Sequence, residues 1–320
     1  MSVSFQRPLG FVLRLVVLIV LGLGGGLVAL PARAQADAGW GFVGWGALSN
    51  NDFYGDRQDR WQTSSNSLSL LFGPKGLRSP PYEFGRLFEL RSGYQIITPA
   101  NTAAPAAGDR RAAGVLRGAV HNRVMRGAWE FDLGLGVEAV GPNTGVLAFQ
   151  DRLHARLRSD RASPAVLGAQ IGNRIMPLLH GEVAYRWPVS DLVTVRNYAV
   201  VHAGLEGYAQ IGFDLLIGNG FKNGIFARDA VTGQIYGTVK RANPPGLSGL
   251  IGMDVSRVFY STYLPSPAYG VEPLRARLRG GVMYDWGGFS VFYGATYLSR
   301  EFTAQPQGQV VGSVQLRFSF

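Results

Sequence analysis

The 320-residue sequence has no cysteine. That excludes disulfides and any thiolate-bound zinc, so an exported chain must draw its stability from elsewhere, such as a large closed sheet. Long apolar runs are also scarce. The one at Leu15 to Leu30 contains Gly24-Gly25-Gly26 and is shorter than the roughly 20 residues a spanning helix needs. Arg7 and Arg14 lie in and before its start, and Pro31-Ala32-Arg33-Ala34 follows it. A basic start, an apolar middle and an A-x-A end describe a secretory signal peptide, with cleavage expected after Ala34 or Ala36 and an uncleaved anchor as the alternative. The expected organisation is a signal over 1–34 and one membrane domain over 35–320. No G-x-S-x-G elbow, Ser-His-Asp spacing or phosphate loop occurs. Histidine is rare as well, at four residues.

What is present is charge of one sign and alternation. Arg7, Arg14 and Arg33 lie in the expected leader, so the 31 basic residues fall to 28 against 21 acidic in the remainder. In an exported chain such an excess points to anionic lipid head groups rather than to nucleic acid. In 274–286, Leu274, Ala276, Leu278, Val282, Tyr284 and Trp286 share one face, and Arg275, Arg277, Arg279 and Asp285 the other. Segments 128–137 and 310–320 alternate in the same way, and the chain ends on Phe320. Charged residues facing inward and apolar ones outward, in segments of about ten, describe an all-β transmembrane antiparallel β-barrel. A soluble sandwich also alternates, but it would not place aromatics near strand ends as an interfacial girdle does.

About twelve strands are expected, near 39–50, 63–73, 84–98, 112–124, 127–139, 180–187, 192–205, 207–218, 247–260, 272–286, 288–299 and 309–320. With the first strand running outward, the connections 51–62, 99–111, 140–179, 188–191 or 206, 261–271 and 300–308 share the outer end. Residues 140–179 are far longer than an ordinary connection. Within them, apolar residues at 146, 149, 153 and 157 have helical spacing, so a short amphipathic helix is expected at the mouth.

That helix would carry His154, with Gln150, Asp151 and Arg158 on its face and Asp160 off it. A histidine oriented by a carboxylate is a general base near neutral pH, although a loop histidine is more often merely solvated. Asn50-Asn51-Asp52 ends the first strand and reads as a turn or as cation ligands. Asp59 to Ser67, with Thr63, opens the second strand and reads as lumen lining or site. Gln95 to Pro99 and Gly108 to Arg111 follow. All fall at the same end, and oxygens of Asn51, Asp52 and Thr63 suit a hard cation such as calcium. His121, His180 and His202 lie in strands, where lumen lining is the default.

Five segments, in order, resemble the lipid A 3-O-deacylase family of outer-membrane barrels: Asn51-Asp52; Asp59-Arg60 to Thr63; Gln95-Ile-Ile-Thr-Pro99 with Asp109-Arg110; Gly141-Pro142 with Gln150 to His154; and Gln170-Ile-Gly-Asn173. The resemblance implies a twelve-stranded barrel that removes the 3-O-linked acyl chain of lipid A, using calcium. It implies His154 as the base, with Asp160 and Thr63 completing the catalytic set and Asn51 and Asp52 at the metal. Asp160 stands where the family carries a glutamate, and Arg110 or Arg111 where it carries a loop lysine. The implied partner is lipopolysaccharide of the outer leaflet, with the site on the extracellular side of a bacterial outer membrane. The rival readings are a non-catalytic barrel, as pore or structural protein, and an outer-membrane phospholipase.

Overall fold

The computed structural model describes residues 39–77, 81–157, 161–222, 224–239, 244–265 and 269–318. The expected signal peptide and Asp160 lie outside them.

Twelve strands close an antiparallel barrel: β1 (Trp40–Asn51), β2 (Trp61–Pro74), β3 (Phe88–Thr98), β4 (Ala113–Arg126), β5 (Trp129–Val140), β6 (Arg174–Pro188), β7 (Val193–Ala203), β8 (Glu206–Ile217), β11 (Gly246–Ser261), β12 (Leu274–Asp285), β13 (Phe289–Leu298) and β14 (Gln309–Phe318). Each strand pairs with its neighbour in barrel order. The seam between β1 and β14 is short, Ser49–Asn51 against Gly312–Val314. Period-two alternation explains the wall. Leu133, Leu135, Leu274, Leu278 and Val282 point outward and are exposed, while Asp132, Arg279 and Asp285 point inward and are buried. Aromatics gather at the end opposite the helix. Trp129 stacks edge-on to Tyr185 at 4.9 Å, and Tyr284 lies 4.5 Å from Trp286. Exposed Phe259, Tyr260 and Tyr297 lie near the helix end. Two such belts match the two interfaces of a bilayer.

Two expectations are corrected. β6 begins at Arg174 rather than near 180, so the long connection shrinks to 141–173. Pro177 disguises this strand, because proline is disfavoured in sheets. Here it is tolerated: β6 pairs with β5 along its length but with β7 only from Leu179 onward, so Pro177 sits beside a free edge. The short β7–β8 connection at 204–205, not 188–191, lies at the helix end.

The second correction is inside the barrel. The connection after β8 carries a hairpin, β9 (Ile225–Arg228) and β10 (Ile235–Val239), that the alternation did not reveal. It enters from the end opposite the helix and fills the lumen. Ser67 donates to Asp229 at 2.8 Å, Tyr236 and Ser69 share a 2.8 Å hydroxyl bond, and Arg228 donates to Asp214 at 2.7 Å. Gln315 donates to the Gly237 carbonyl at 3.0 Å. At the helix end, Trp61, Ile97, Val140, Leu205, Tyr263, Leu264 and Phe302 form a buried apolar layer. A lumen filled by a hairpin and capped by this layer is poorly built for conduction, which weighs against the pore reading.

Candidate functional site

The long connection leaves β5 through a tight turn, then forms α1 (Val146–Leu157) and α2 (Pro164–Gly168). The expected helix is there, but its buried contacts differ from the expected stripe. Val146 and Leu147, at its start, pack with Ile96, Ala112 and Val166. Gln95 points into the lumen towards Gln62, so Ile96, its neighbour in the strand, faces outward. α1 therefore lies on the outer face of the wall over β3 and β4. Phe149, Leu153 and Leu157 stay exposed, with more than half of Phe149 and Leu157 accessible.

The turn before α1 explains three residues of the motif set. Gly141 has φ 109° and ψ −175°, a region that only glycine occupies without strain. A Cβ there would stand 2.7 Å from the backbone of Asn173. Asn173 in turn accepts the Asn143 N–H through Oδ1 at 2.8 Å. Gly141, Pro142 and Asn173 thus fix where the helix starts. Gln170 donates to the Leu167 carbonyl at 2.7 Å and closes α2.

Beside the helix, the ends of β1 and β2 collect oxygens. Asn50 points into the lumen, donating to Ser65 at 2.9 Å and accepting from Ser313 at 2.6 Å. Asn51, next in the strand, points the other way and caps the short turn at 52–54 by accepting the Phe53 N–H at 2.8 Å. Asp52 is buried and accepts the Arg60 N–H at 2.9 Å. Burial, with repulsion from Asp59 and Asp56, pushes its carboxyl up to about 7. The loop holding these acids is strained: Arg57, Asp59 and Trp61 all have positive φ. Thr63 is buried and shares a 2.7 Å hydroxyl bond with Thr98, at a bulge between Gln62 and Ser64. Asn51, Asp52 and Thr63 are thereby brought to neighbouring positions on β1 and β2, next to the strands that α1 covers.

His154 is half-buried on α1, and Gln150, one turn earlier, is half-buried too. Asp151 joins the helix to the segment before α2 through Arg161, at 2.9 and 2.6 Å. The Arg161 hydrogen bond holds the Asp151 carboxyl below the usual range, and the nearby His154 adds to this. Asp151 and His154 are thus close enough for their charges to interact.

The two arginines separate. Arg111 is exposed, whereas Arg110 is buried and paired with Glu301. The Arg110 guanidinium thus faces Glu301 in the connection before β14, while Arg111 faces outward. Glu301 also accepts from Gln62 at 2.8 Å, and both cations hold its carboxyl low: Arg110 first, then Arg275. Asp109 accepts the Ala100 N–H at 2.7 Å and closes the loop after β3. Asp59 and Thr98 fall within the candidate segments of the sequence, whereas Asp56 falls outside them. Their proximity comes from loop strain and strand pairing, and no linear spacing signals either.

A family model described as "Outer membrane protein LpxR" matches residues 17–320. The chain belongs to the LpxR family. This family of outer-membrane barrels is the lipid A 3-O-deacylase family that the motif set resembles. Among solved structures, LpxR from Salmonella typhimurium superposes with a TM-score of 0.70 at 16% identity, covering 87% of this chain and 100% of that one. The β domain of the Bordetella autotransporter BrkA gives a TM-score of 0.40 at 11% identity, covering 88% and 99%. The KdgM porin gives 0.39 at 10%, covering 87% and 99%. No curated protein matches. At 16% identity the Salmonella likeness establishes the twelve-stranded LpxR fold; family membership rests on the family match.

Proposed function

We propose that this LpxR-family barrel is an outer-membrane esterase that removes the 3-O-linked acyl chain of lipid A in the outer leaflet, with its site on the extracellular side. The observation that carries this reading is the placement of α1. A helix bearing a histidine and an exposed apolar edge lies on the outer wall, where a lipid would meet it, beside a strained loop rich in buried oxygens. The exposed Phe149, Leu153 and Leu157 suit acyl chains. The exposed Arg111, Arg152 and Arg156 suit lipid phosphates.

In this reading His154 accepts the proton of the attacking water and later returns it to the leaving alkoxide. Asp151, on the same helix, is assigned to orient the imidazole, and Asp160 is assigned the same supporting role. Gln150 and Thr63 line the path of the reacting ester. Asn51 and Asp52 would hold calcium. The donor set fits: all oxygen, with a carboxyl pushed upward by burial and by two further acids, a condition that a cation relieves. Calcium, when bound, would polarise the ester carbonyl and stabilise negative charge as it develops.

The test is mass spectrometry of lipid A from cells expressing wild type or His154→Ala with calcium present. Loss of one acyl unit from the 3-position in the wild type only supports the proposal. Unchanged lipid A in both, with the barrel shown to be folded, refutes it. Supplying phospholipid and lipid A separately to purified protein distinguishes the phospholipase reading.

A further inference from the structure

The sequence offers four histidines, and the proposed chemistry uses one. The other three stand in a row inside the barrel. His121 on β4 pairs with Gly134 on β5, Gly134 with His180 on β6, and His180 with His202 on β7. Directly paired residues point to the same face. The register therefore sets positions 121, 134, 180 and 202 side by side on the lumen wall.

Gly134 is the reason two of the rings can meet. A Cβ at this position would lie 2.5 Å from the His121 ring, so any other residue would push that ring away. Without it the rings of His121 and His180 come to 5.3 Å between centroids. Asp132, two residues earlier on the same face of β5, places Oδ1 2.8 Å from His121 Nδ1. One ligand atom from each of His121, Asp132 and His180 can be chosen so that all lie within 4.8 Å of one another. The Nε2 of His180 is buried and has no hydrogen-bond partner in the structure. Leaving a buried polar atom unmatched is costly, and a metal ion at this position would satisfy it.

We infer that His121, Asp132 and His180 form a second metal site, within the lumen, for a divalent transition ion of the zinc class. Two imidazoles and a carboxylate are a zinc-type donor set, softer than the oxygen-only loop that suits calcium. A tetrahedral zinc sets its ligand atoms roughly 3.3 Å apart, so the widest spacing in the triad, at most 4.8 Å, needs to close by up to about 1.5 Å, within the reach of side-chain rotation. His202 lies further along the row, 6.1 Å from His180 between centroids, with Nε2 3.7 Å from Glu138. It stands outside the triad.

The surrounding charges do not forbid an ion. Asp132 also accepts from Arg91 at 3.0 Å and Arg123 at 3.1 Å, but through Oδ2. Both arginines pair in addition with Glu89, at 2.7 and 2.8 Å. Glu182, on the same face as His180, is matched by Arg196 and Arg228. Glu89 and Asp132 together balance Arg91 and Arg123, and Oδ1 of Asp132 remains on the histidine side. Arg228 belongs to the lumen hairpin and Arg123 bonds the Phe226 carbonyl, so an ion here would brace the wall against that hairpin.

The experiment uses the full barrel without a histidine tag, stripped with chelator and re-equilibrated with zinc in the presence of excess calcium. Metal content is measured on the folded protein, and cobalt substitution reports the ligand field. The expected result is one zinc per chain in the wild type, visible cobalt absorption, loss of both in His121→Ala and His180→Gln, and retention in His154→Ala. A folded wild type that keeps no zinc overturns the inference, as does zinc content unchanged in the two lumen variants. Zinc lost only with His154→Ala also overturns it, because the ion would then sit at the outer site. Should the lumen variants not fold, X-ray absorption of the zinc-loaded wild type decides: two imidazole ligands are required, and their absence refutes the site.

Discussion

Gly141→Ala separates the helix from the barrel. The barrel pairs its strands without α1, so a fault in the turn at 141 should spare the wall and misplace His154. Gly141 sits at φ 109°, ψ −175°, where a non-glycine residue costs on the order of 1–3 kcal/mol. The new methyl would also meet the Asn173 backbone at 2.7 Å, and backbone cannot swing aside as a side chain can. Adding about 1 kcal/mol for that shift gives roughly 2–4 kcal/mol against the docked turn, a factor of about 30 to several hundred at 1.4 kcal/mol per tenfold. Gly145→Ala is the internal control. Gly145 is left-handed at φ 71° but has nothing within 4 Å of a Cβ, so it carries only the strain of roughly 1–2 kcal/mol. The assay is the deacylation rate in mixed micelles, with heat-modifiable gel mobility reporting the folded barrel. Gly141→Ala should lose at least thirtyfold in rate with mobility intact, and Gly145→Ala distinctly less. Equal rates for Gly141→Ala and wild type would sink the claim that this turn sets the helix.

Three further outcomes follow from the same geometry. Asp52 has its carboxyl raised to about 7 against an ordinary 3.8, so the neutral form favours the fold. That contribution is complete below about pH 4 and disappears as pH rises through 7, and a bound cation reverses the preference. Calcium affinity should therefore fall about tenfold from pH 8 to pH 6, as the ionised fraction does; calorimetry showing no change would reject Asp52 as a ligand. Asp59→Asn removes one repulsive neighbour, so the same titration should move to lower pH. Arg279→Ala should lower barrel stability by about 3 kcal/mol in urea unfolding from detergent. Its guanidinium is buried between Asp214 and Asp254, though Arg228 and Arg277 still partner those acids.

The wall was legible because its rule is local. Most strands set inward polar or charged residues against outward apolar ones, and about twelve such segments are expected from the sequence. Where the rule broke, so did the reading. Pro177 hid six residues of β6 because a proline argues against a strand until its neighbours are known. The hairpin at 225–239 is buried in the lumen against polar groups such as Ser67 and Asp214 and apolar ones such as Leu48, Leu216 and Phe292, so it shows neither solvent nor lipid alternation. Helical spacing in α1 was visible, but periodicity cannot say which neighbour a helix meets. Val146 and Leu147 pack with Ile96 and Ala112, and the rest of the regular stripe, Phe149, Leu153 and Leu157, faces out. The histidine row is invisible for another reason: residues 121, 134, 180 and 202 have no common spacing, and only antiparallel register makes them neighbours.

The filled lumen and the outer site are two parts of one arrangement. A hydrolase acting on a lipid in its own membrane gains nothing from a cavity inside the barrel, since its substrate diffuses around the wall. What it needs is a rigid floor against which a short helix can hold a base in position. Twelve strands packed around a hairpin, with arginine and carboxylate pairs locking the two together, supply a floor that cannot flatten. Side chains that a porin would spend on lining a channel are here committed to Asp214, Asp254 and Glu182, held by Arg228 and Arg279. Opening the lumen should therefore damage the proposed outer site even though His154 lies outside the barrel. Deleting 225–239 is expected to leave a folded barrel with weaker deacylation and new conductance. A deletion that gained conductance while keeping full activity would show that the floor is set by the wall alone.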